Sequence, residues 1–147
     1  MLALACDLRL VTPEAYLQEK FVKIGLMPDG GGTFWLPRLV GLAKAMELLY
    51  FGEPVPGEQA VAMGLANRVV PAATLREEAM SWAHKLAKGP PLAFAEMKRA
   101  VRASLGGTID SALPLEKDGQ IRCLTSADAM EGVMAWMQKR EPSFQGK

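Results

Sequence analysis

Asp29 is the residue of this chain whose type and setting best suit acid–base chemistry. It follows Pro28 and precedes three glycines, in the stretch Met27-Pro28-Asp29-Gly30-Gly31-Gly32-Thr33. A Pro-Asp-Gly tripeptide is ordinarily a turn, because proline fixes φ and glycine tolerates positive φ. The functional alternative is that this carboxylate ends an apolar segment just before a glycine loop that opens a helix. Partial desolvation there would make it a better general base.

The three glycines after Asp29 favour a loop whose backbone must approach another group closely. Free N–H groups at the start of the following helix could bind an anion. The stretch lacks the Gly-Lys-Ser/Thr of a phosphate loop and the spacing of a dinucleotide fingerprint. The loop therefore indicates close backbone approach more strongly than it indicates a phosphate site.

The remaining reactive side chains do not by themselves indicate a catalytic or metal site. His84 is the single histidine and lies within a helix predicted from apolar residues at helical spacing. A histidine in such a place is more often a surface or boundary residue than a catalyst. Cys6 and Cys123 have no metal-site spacing and cannot form a disulfide framework, which fits a reducing, cytoplasmic setting. Lys139 and Arg140 suit the negative end of a helix without any further function. We predict no metal site.

The composition excludes several classes of protein. The chain has 147 residues, 50% of them hydrophobic, which suits a globular domain of ordinary size. Its net charge of +1 gives no field to draw it onto nucleic acid or an anionic membrane. No apolar run approaches the roughly 18 residues of a membrane span. We expect no nucleic-acid or membrane partner.

The elements that must position Asp29 are short strands and helices. Alternating residues predict strands near 7–12 and 15–18, a connector over 21–26 leads to the Asp29 loop, and another strand is predicted at 67–71. Apolar residues at helical spacing predict that most of the remaining chain is helical, and Ser126 is predicted to cap the last helix. Three Met- and Ala-rich helices follow Gly89, and their apolar stripes must be buried on each other or on a second subunit. This pattern predicts an α-rich α/β fold and an oligomer.

Several motifs together resemble the enoyl-CoA hydratase/isomerase (crotonase) superfamily over essentially the whole chain. In chain order they are Leu2-Ala3-Leu4-Ala5-Cys6-Asp7; Phe21, Lys23, Gly25-Leu26, Pro28-Asp29 and Gly31-Gly32-Thr33; Leu36-Pro37-Arg38-Leu39-Val40-Gly41; Gly52-Glu53-Pro54-Val55; Gly64-Leu65; Glu131-Gly132-Val133; and Lys139-Arg140, Pro142, Phe144 and Gly146. The resemblance implies the C-terminal half of such a protein. Residues 1–89 would end the ββα spiral and carry the active-site loop, and residues 90–147 would form a helical oligomerisation region.

The resemblance also discriminates between activities. Hydratases of this superfamily use two glutamates, and the matching positions here hold Met1 and Phe21. Chlorobenzoyl-CoA dehalogenases share the aspartate but have a tryptophan at the Phe21 position. Phenylalanine followed by Pro-Asp-x-Gly-Gly-Thr is most similar to the 1,2-epoxyphenylacetyl-CoA isomerases, whose catalytic aspartate matches Asp29. The implied reaction is isomerisation of an acyl-CoA double bond or ring through a thioester enolate.

The resemblance further implies an acyl-CoA partner, with coenzyme A as part of the substrate and no separate cofactor. Phe21, Leu26 and Trp35 are candidate pocket walls, with core packing as the alternative. Gly30 and Gly31 would pass close to the acyl chain. Lys139 matches a lysine that reaches the CoA phosphates of a neighbouring subunit in trimers or hexamers.

Two other functions stay open at this point. One is a non-catalytic assembly module and the other is an enoyl-CoA hydratase. Because the oxyanion-hole N–H donors of the superfamily precede the position of Met1, we expect this chain alone to be inactive.

Overall fold

A computed structural model describes all residues, Met1–Lys147, and contacts between residues divide the chain into two compact units. The first is Met1–Met80 and the second is Ser81–Lys147. The functional boundary after residue 89 stays a prediction.

The chain is rich in helix and its strands are very short. The helices are α1 (Leu2–Ala5), α2 (Gly32–Val40), α3 (Leu42–Phe51), α4 (Gly57–Ala62), α5 (Leu75–Ala87), α6 (Pro91–Ser104), α7 (Ile109–Leu124) and α8 (Ala127–Gln138). The strands are β1 (Leu10–Val11), β2 (Tyr16–Leu17), β3 (Val55–Pro56) and β4 (Arg68–Val69). Two 3₁₀ helices, Lys20–Ile24 and Ala72–Thr74, complete the elements. No helix combines the length and the apolar character that crossing a membrane requires.

The four strands form two separate pairs in the first unit. β1 and β4 are parallel, with Leu10 opposite Arg68, and β2 and β3 are antiparallel, with Tyr16 opposite Pro56. The parallel pair needs a long crossover, which the intervening helices supply. Arg9 stabilises this pair because its Nε donates to the carbonyl of Leu65 at 2.6 Å.

The core of the first unit lies where α1, α2, α3 and α4 meet. Its buried members are apolar: Leu4, Leu36, Ala45, Leu48, Val55, Ala60, Leu65 and Ala66. Leu36 and Leu65 are each 2% exposed. This core anchors α2, whose N-terminus follows the Asp29 loop directly.

The second unit contains the hairpin of α6 and α7 and, after it, α8 with the C-terminal tail. Glu96 joins the two hairpin helices through an ion pair to Arg122 on α7 at 2.9 Å, and it also pairs with Arg99 on its own helix at 2.7 Å. These two guanidinium groups, chiefly through the hydrogen bond from Arg99, hold the pKa of Glu96 below its usual range.

The tail folds back on α8, whose buried Asp128 accepts hydrogen bonds from two tail amides. Glu131, also on α8, accepts two hydrogen bonds from the guanidinium of Arg140, at 2.6 and 2.8 Å. The two acidic residues therefore fix the last residues of the chain.

Most predicted elements are confirmed, including the cap of α8, where Ser126 Oγ accepts from the Ala129 amide at 3.1 Å. The connector predicted over 21–26 is largely a 3₁₀ helix, and β3 was missed. The apolar stripes of the late helices are not buried within this chain. Their exposed members are Met97, Val101, Leu105, Met130, Val133, Met134 and Met137.

Candidate active site

The Asp29 loop is a tight glycine turn that opens α2. The Asp29 carbonyl accepts a hydrogen bond from the Gly32 amide at 2.9 Å, and the Gly31 carbonyl accepts one from the Trp35 amide at 2.8 Å. Gly30 and Gly31 have φ values of +54° and +91°, a region that glycine enters without strain. The run of glycines is therefore required by the backbone path that places Asp29 immediately before a helix.

Met1 lies against this loop. A β-carbon at Gly32 would lie 2.7 Å from the Met1 sulfur, and one at Gly30 would lie 3.0 Å from Met1 Cβ. By resemblance, the Met1 position is one of the two that hold glutamates in hydratases. In this chain an apolar side chain occupies that place beside the loop.

Asp29 is exposed in this chain. The expectation of a partly desolvated carboxylate is therefore wrong for the 147 residues described. The physical reason is that the residues before it do not form a buried segment, since Leu26 is 57% exposed and Met27 is 72% exposed. The Asp29 carboxylate is therefore accessible to solvent in this chain.

The three candidate pocket walls have different environments. Trp35 packs on the apolar core of the first unit, and its indole lies over Gly31, where a β-carbon would be 3.0 Å from Nε1. Phe21 is half-buried on the 3₁₀ helix, and its carbonyl accepts a hydrogen bond from the Leu26 amide at 3.0 Å. Leu26 is exposed, which excludes a core role within this chain.

The structure adds a carboxyl group that the sequence reasoning missed, that of Glu19. Its Oε2 is buried and has no hydrogen-bond partner. Burial raises the pKa of Glu19, the positive amino group of Met1 opposes that effect, and the charge of Asp29 raises the pKa further. A signal existed in the sequence, because Glu19 lies only two residues before Phe21, which occupies the other hydratase-glutamate position.

Lys139 belongs to the second unit and ends α8. Its φ of +54° places it in the left-handed region, and it is the only non-glycine residue with positive φ. Its amide donates to the Trp136 carbonyl and the Arg140 amide donates to the Ala135 carbonyl, which closes the helix end. An exposed lysine at such a site presents its ammonium group to solvent.

A family model described as enoyl-CoA hydratase/isomerase matches residues 1–147. The chain belongs to the enoyl-CoA hydratase/isomerase family. The fold is the α-rich α/β crotonase fold, as the sequence predicted. No group of three or more His, Cys, Asp or Glu side chains is arranged to hold a metal ion.

Two curated relatives show that the family match covers more than one reaction. The chain is 42% identical over 146 residues to a probable enoyl-CoA hydratase of Rhodobacter capsulatus, and 40% identical over 146 residues to a 1,2-epoxyphenylacetyl-CoA isomerase of Escherichia coli. Each match covers 99% of this chain, but only 57% and 56% of the relatives. The chain thus spans little more than half the length of these relatives.

Solved structures give the same result for the fold. An enoyl-CoA hydratase from Bacillus anthracis superposes with a TM-score of 0.94 at 33% identity, over 98% of this chain and 56% of that one. An enoyl-CoA hydratase from Mycobacterium tuberculosis superposes with a TM-score of 0.94 at 34% identity, over 99% and 58%. The backbone described above is therefore that of the family.

Proposed function

We propose that this chain is part of an acyl-CoA isomerase in which Asp29 is the general base. The observation that carries the proposal is the set of side chains at three positions. Asp29 opens the glycine loop, whereas the two positions that hold hydratase glutamates by resemblance hold Met1, which lies against that loop, and Phe21. Water addition by the hydratase mechanism needs both of those glutamates. Isomerisation needs a base that moves a proton from one carbon to another.

The chemistry follows from the acidity of a thioester. Asp29 would take a proton from the acyl α-carbon, and the electron pair would pass into the thioester carbonyl to give an enolate. Returning a proton to the γ-carbon moves the double bond. N–H donors must meet the enolate oxygen, and removing one such donor typically costs a factor of about 10²–10³ in kcat. By resemblance these donors lie in a segment that precedes Met1 in longer relatives, so the proposal concerns a protein of that length.

We propose that the substrate class is an acyl-CoA thioester and that the chain belongs to the 1,2-epoxyphenylacetyl-CoA isomerase branch. The support is the Phe21 and Asp29 pattern, because the identity to such an isomerase, 40%, is matched by 42% identity to a probable enoyl-CoA hydratase. The half-buried Phe21 and the exposed Leu26 would line the acyl pocket, and Gly30 and Gly31 would let the backbone approach the chain. Exposed Lys139 would contact a CoA phosphate as a point charge.

The test is the Asp29→Asn variant in a protein of the relatives' length, assayed with a 3-enoyl-CoA. We expect kcat to fall by about 10²–10⁴, the usual contribution of a positioned acid–base group, while acyl-CoA affinity stays similar. Glu14→Gln is the matched control, because it also removes an exposed carboxylate from the first unit. An unchanged kcat in Asp29→Asn would show that another group is the base.

A second candidate function is assembly, and exposed apolar residues favour it. Met130, Met134 and Met137 on α8 are 66%, 41% and 66% exposed, and Trp136 is 81% exposed. Apolar area of this kind marks a surface for another protein. We propose that α8 contributes to a homo-oligomer, a trimer or a hexamer.

The hydratase alternative is supported by the names of several relatives and opposed by the side chains at Met1 and Phe21.

A further inference from the structure

The indole of Trp35 covers the backbone of the Asp29 loop. Side chains of an α-helix lean toward its N-terminus, so a long side chain covers the turn that precedes its own residue. For Trp35, near the start of α2, that turn contains Gly31, whose carbonyl also accepts hydrogen bonds from the amides of Phe34 at 2.9 Å and Trp35 at 2.8 Å. A β-carbon at Gly31 would lie 3.0 Å from the indole Nε1 and 3.1 Å from Cδ1. The indole therefore occupies the space that a side chain at this position would need.

Trp35 is itself held from two other directions. Its side chain packs on the buried core of the first unit. The ring of Phe34 meets the indole edge-on, with 4.8 Å between ring centroids and 88° between ring planes. The guanidinium of Arg38 lies 3.7 Å from the centre of the Phe34 ring, and its Nη1 donates to the Phe34 carbonyl at 2.9 Å. Edge-to-face rings and a cation over a ring face attract each other, so these contacts favour one orientation of the indole.

Asp29 takes its position from the turn that the indole covers. The Asp29 carbonyl accepts from the Gly32 amide at 2.9 Å, and the turn between them has Gly30 and Gly31 at its centre, both with positive φ. Glycine has more accessible backbone conformations than any other residue, so a run of glycines is restrained only by its neighbours. The Met1 side chain lies against Gly30 and Gly32, and the indole lies against Gly31. The direction of the Asp29 side chain therefore depends on contacts made by the glycines that follow it.

We propose that Trp35 is a positioning residue for Asp29, whose indole fixes Gly31 and so holds the carboxylate in the direction that proton abstraction needs. Trp35 acts through the loop in the isomerase proposed above, on which this role depends, and not as a wall of the acyl pocket. Burial gives the exposed Asp29 carboxylate no fixed direction, so the backbone turn must supply it. A misplacement of about 1 Å at a reacting group can cost about 10²-fold in rate.

The test variant is Trp35→Leu in a protein of the relatives' length, because leucine can still pack on the core but is too short to cover Gly31 as the indole does. We expect kcat for a 3-enoyl-CoA to fall by up to about 10²-fold, with acyl-CoA affinity unchanged. Trp35→Phe should recover most of the wild-type kcat, since an aromatic ring again lies over the glycine. Trp82→Leu is the control, because it removes another half-buried indole, from α5, and should leave kcat unchanged.

A double-mutant cycle with Asp29→Asn separates positioning from a general loss of structure. If Trp35 acts only through the Asp29 carboxylate, adding Trp35→Leu to Asp29→Asn lowers the remaining kcat no further. An equal fold-loss in both backgrounds would overturn the proposal, because a distortion of the whole site would then be the cause. A wild-type kcat in Trp35→Leu would overturn it as well.

Phe34→Leu repeats the test without a change in the core, because Phe34 is 42% exposed. This variant removes the ring that meets the indole edge-on, so it should lower kcat less than Trp35→Leu does, and only where Asp29 is present. If Trp35→Leu does not fold, a wild-type kcat in Phe34→Leu overturns the proposal by itself.

The same variants distinguish failure of the Trp35 role from failure of the proposed function. If Asp29→Asn lowers the activity as expected while Trp35→Leu and Phe34→Leu retain it, the positioning role alone fails. If the wild type has no isomerase activity, or if Asp29→Asn retains it, the proposed function fails and the role of Trp35 fails with it.

Discussion

Replacing Asp128 with alanine should release the C-terminal tail from α8. Asp128 is 4% exposed, and its two carboxylate oxygens accept from the backbone amides of Gln145 at 2.6 Å and Gly146 at 2.8 Å. Its own amide donates to the Lys147 carbonyl at 3.1 Å. One side chain near the start of the helix therefore holds two successive backbone amides of the tail.

The magnitude follows from those contacts. A hydrogen bond to a charged group contributes about 1.5–3 kcal/mol, so the two bonds set an upper limit of about 3–6 kcal/mol. The tail is a chain terminus, and its freed amides can bond water, which reduces the loss. An acidic residue in the first turn adds about 0.3–1 kcal/mol through the helix macrodipole. We expect Asp128→Ala to lower the free energy of unfolding by about 2–4 kcal/mol, within the limit that the bond energies set.

Asp110→Ala is the matched control. Asp110 occupies the first turn of α7 as Asp128 does in α8, but it is exposed. It carries the macrodipole contribution without the tail bonds, so its substitution should cost only about 0.3–1 kcal/mol. Urea unfolding measures both costs, and amide hydrogen exchange reports Gln145 and Gly146 directly. Equal costs in the two variants, with both amides still protected in Asp128→Ala, would refute the reasoning.

Two further predictions concern the second unit. Hydrogen bonds from the Arg140 guanidinium, and then from the Ser143 amide, lower the pKa of Glu131 from 4.5 to about 2. This pair therefore stabilises the fold above about pH 4.5 and loses that contribution as the pH falls toward 2, and acid titration of Glu131→Gln should lack this component. Light scattering should find a trimer or hexamer that Met134→Glu dissociates, and a wild-type monomer would contradict the role given to α8.

The helical elements could be predicted from the sequence because their signals are local. Ser126 is a standard N-cap, and the stripe beginning at Met130 repeats at helical spacing. Gly52 ends α3 in a left-handed conformation, which glycine adopts most easily. β3 was missed because it has only two residues, one of them proline, and a strand so short is defined by its pairing with β2.

The candidate site could be predicted only in part, because burial depends on tertiary neighbours. The Asp29 loop is visible in the sequence as a proline and three glycines, but its exposure is not. The apolar residues before it suggested a buried segment, yet Leu26 and Met27 are largely exposed. Glu19 was missed because the cavity that it faces is lined by residues distant in sequence, such as Met1, Leu36 and Leu65.

The product formed from a 3-enoyl-CoA tests the central claim most directly. A protein of the relatives' length would be incubated with this substrate, and its products separated and weighed by mass spectrometry. The account predicts a conjugated 2-enoyl-CoA of unchanged mass, formed by the wild type and not by Asp29→Asn. A product heavier by one water, formed equally by both proteins, would contradict it and identify hydration by groups other than Asp29.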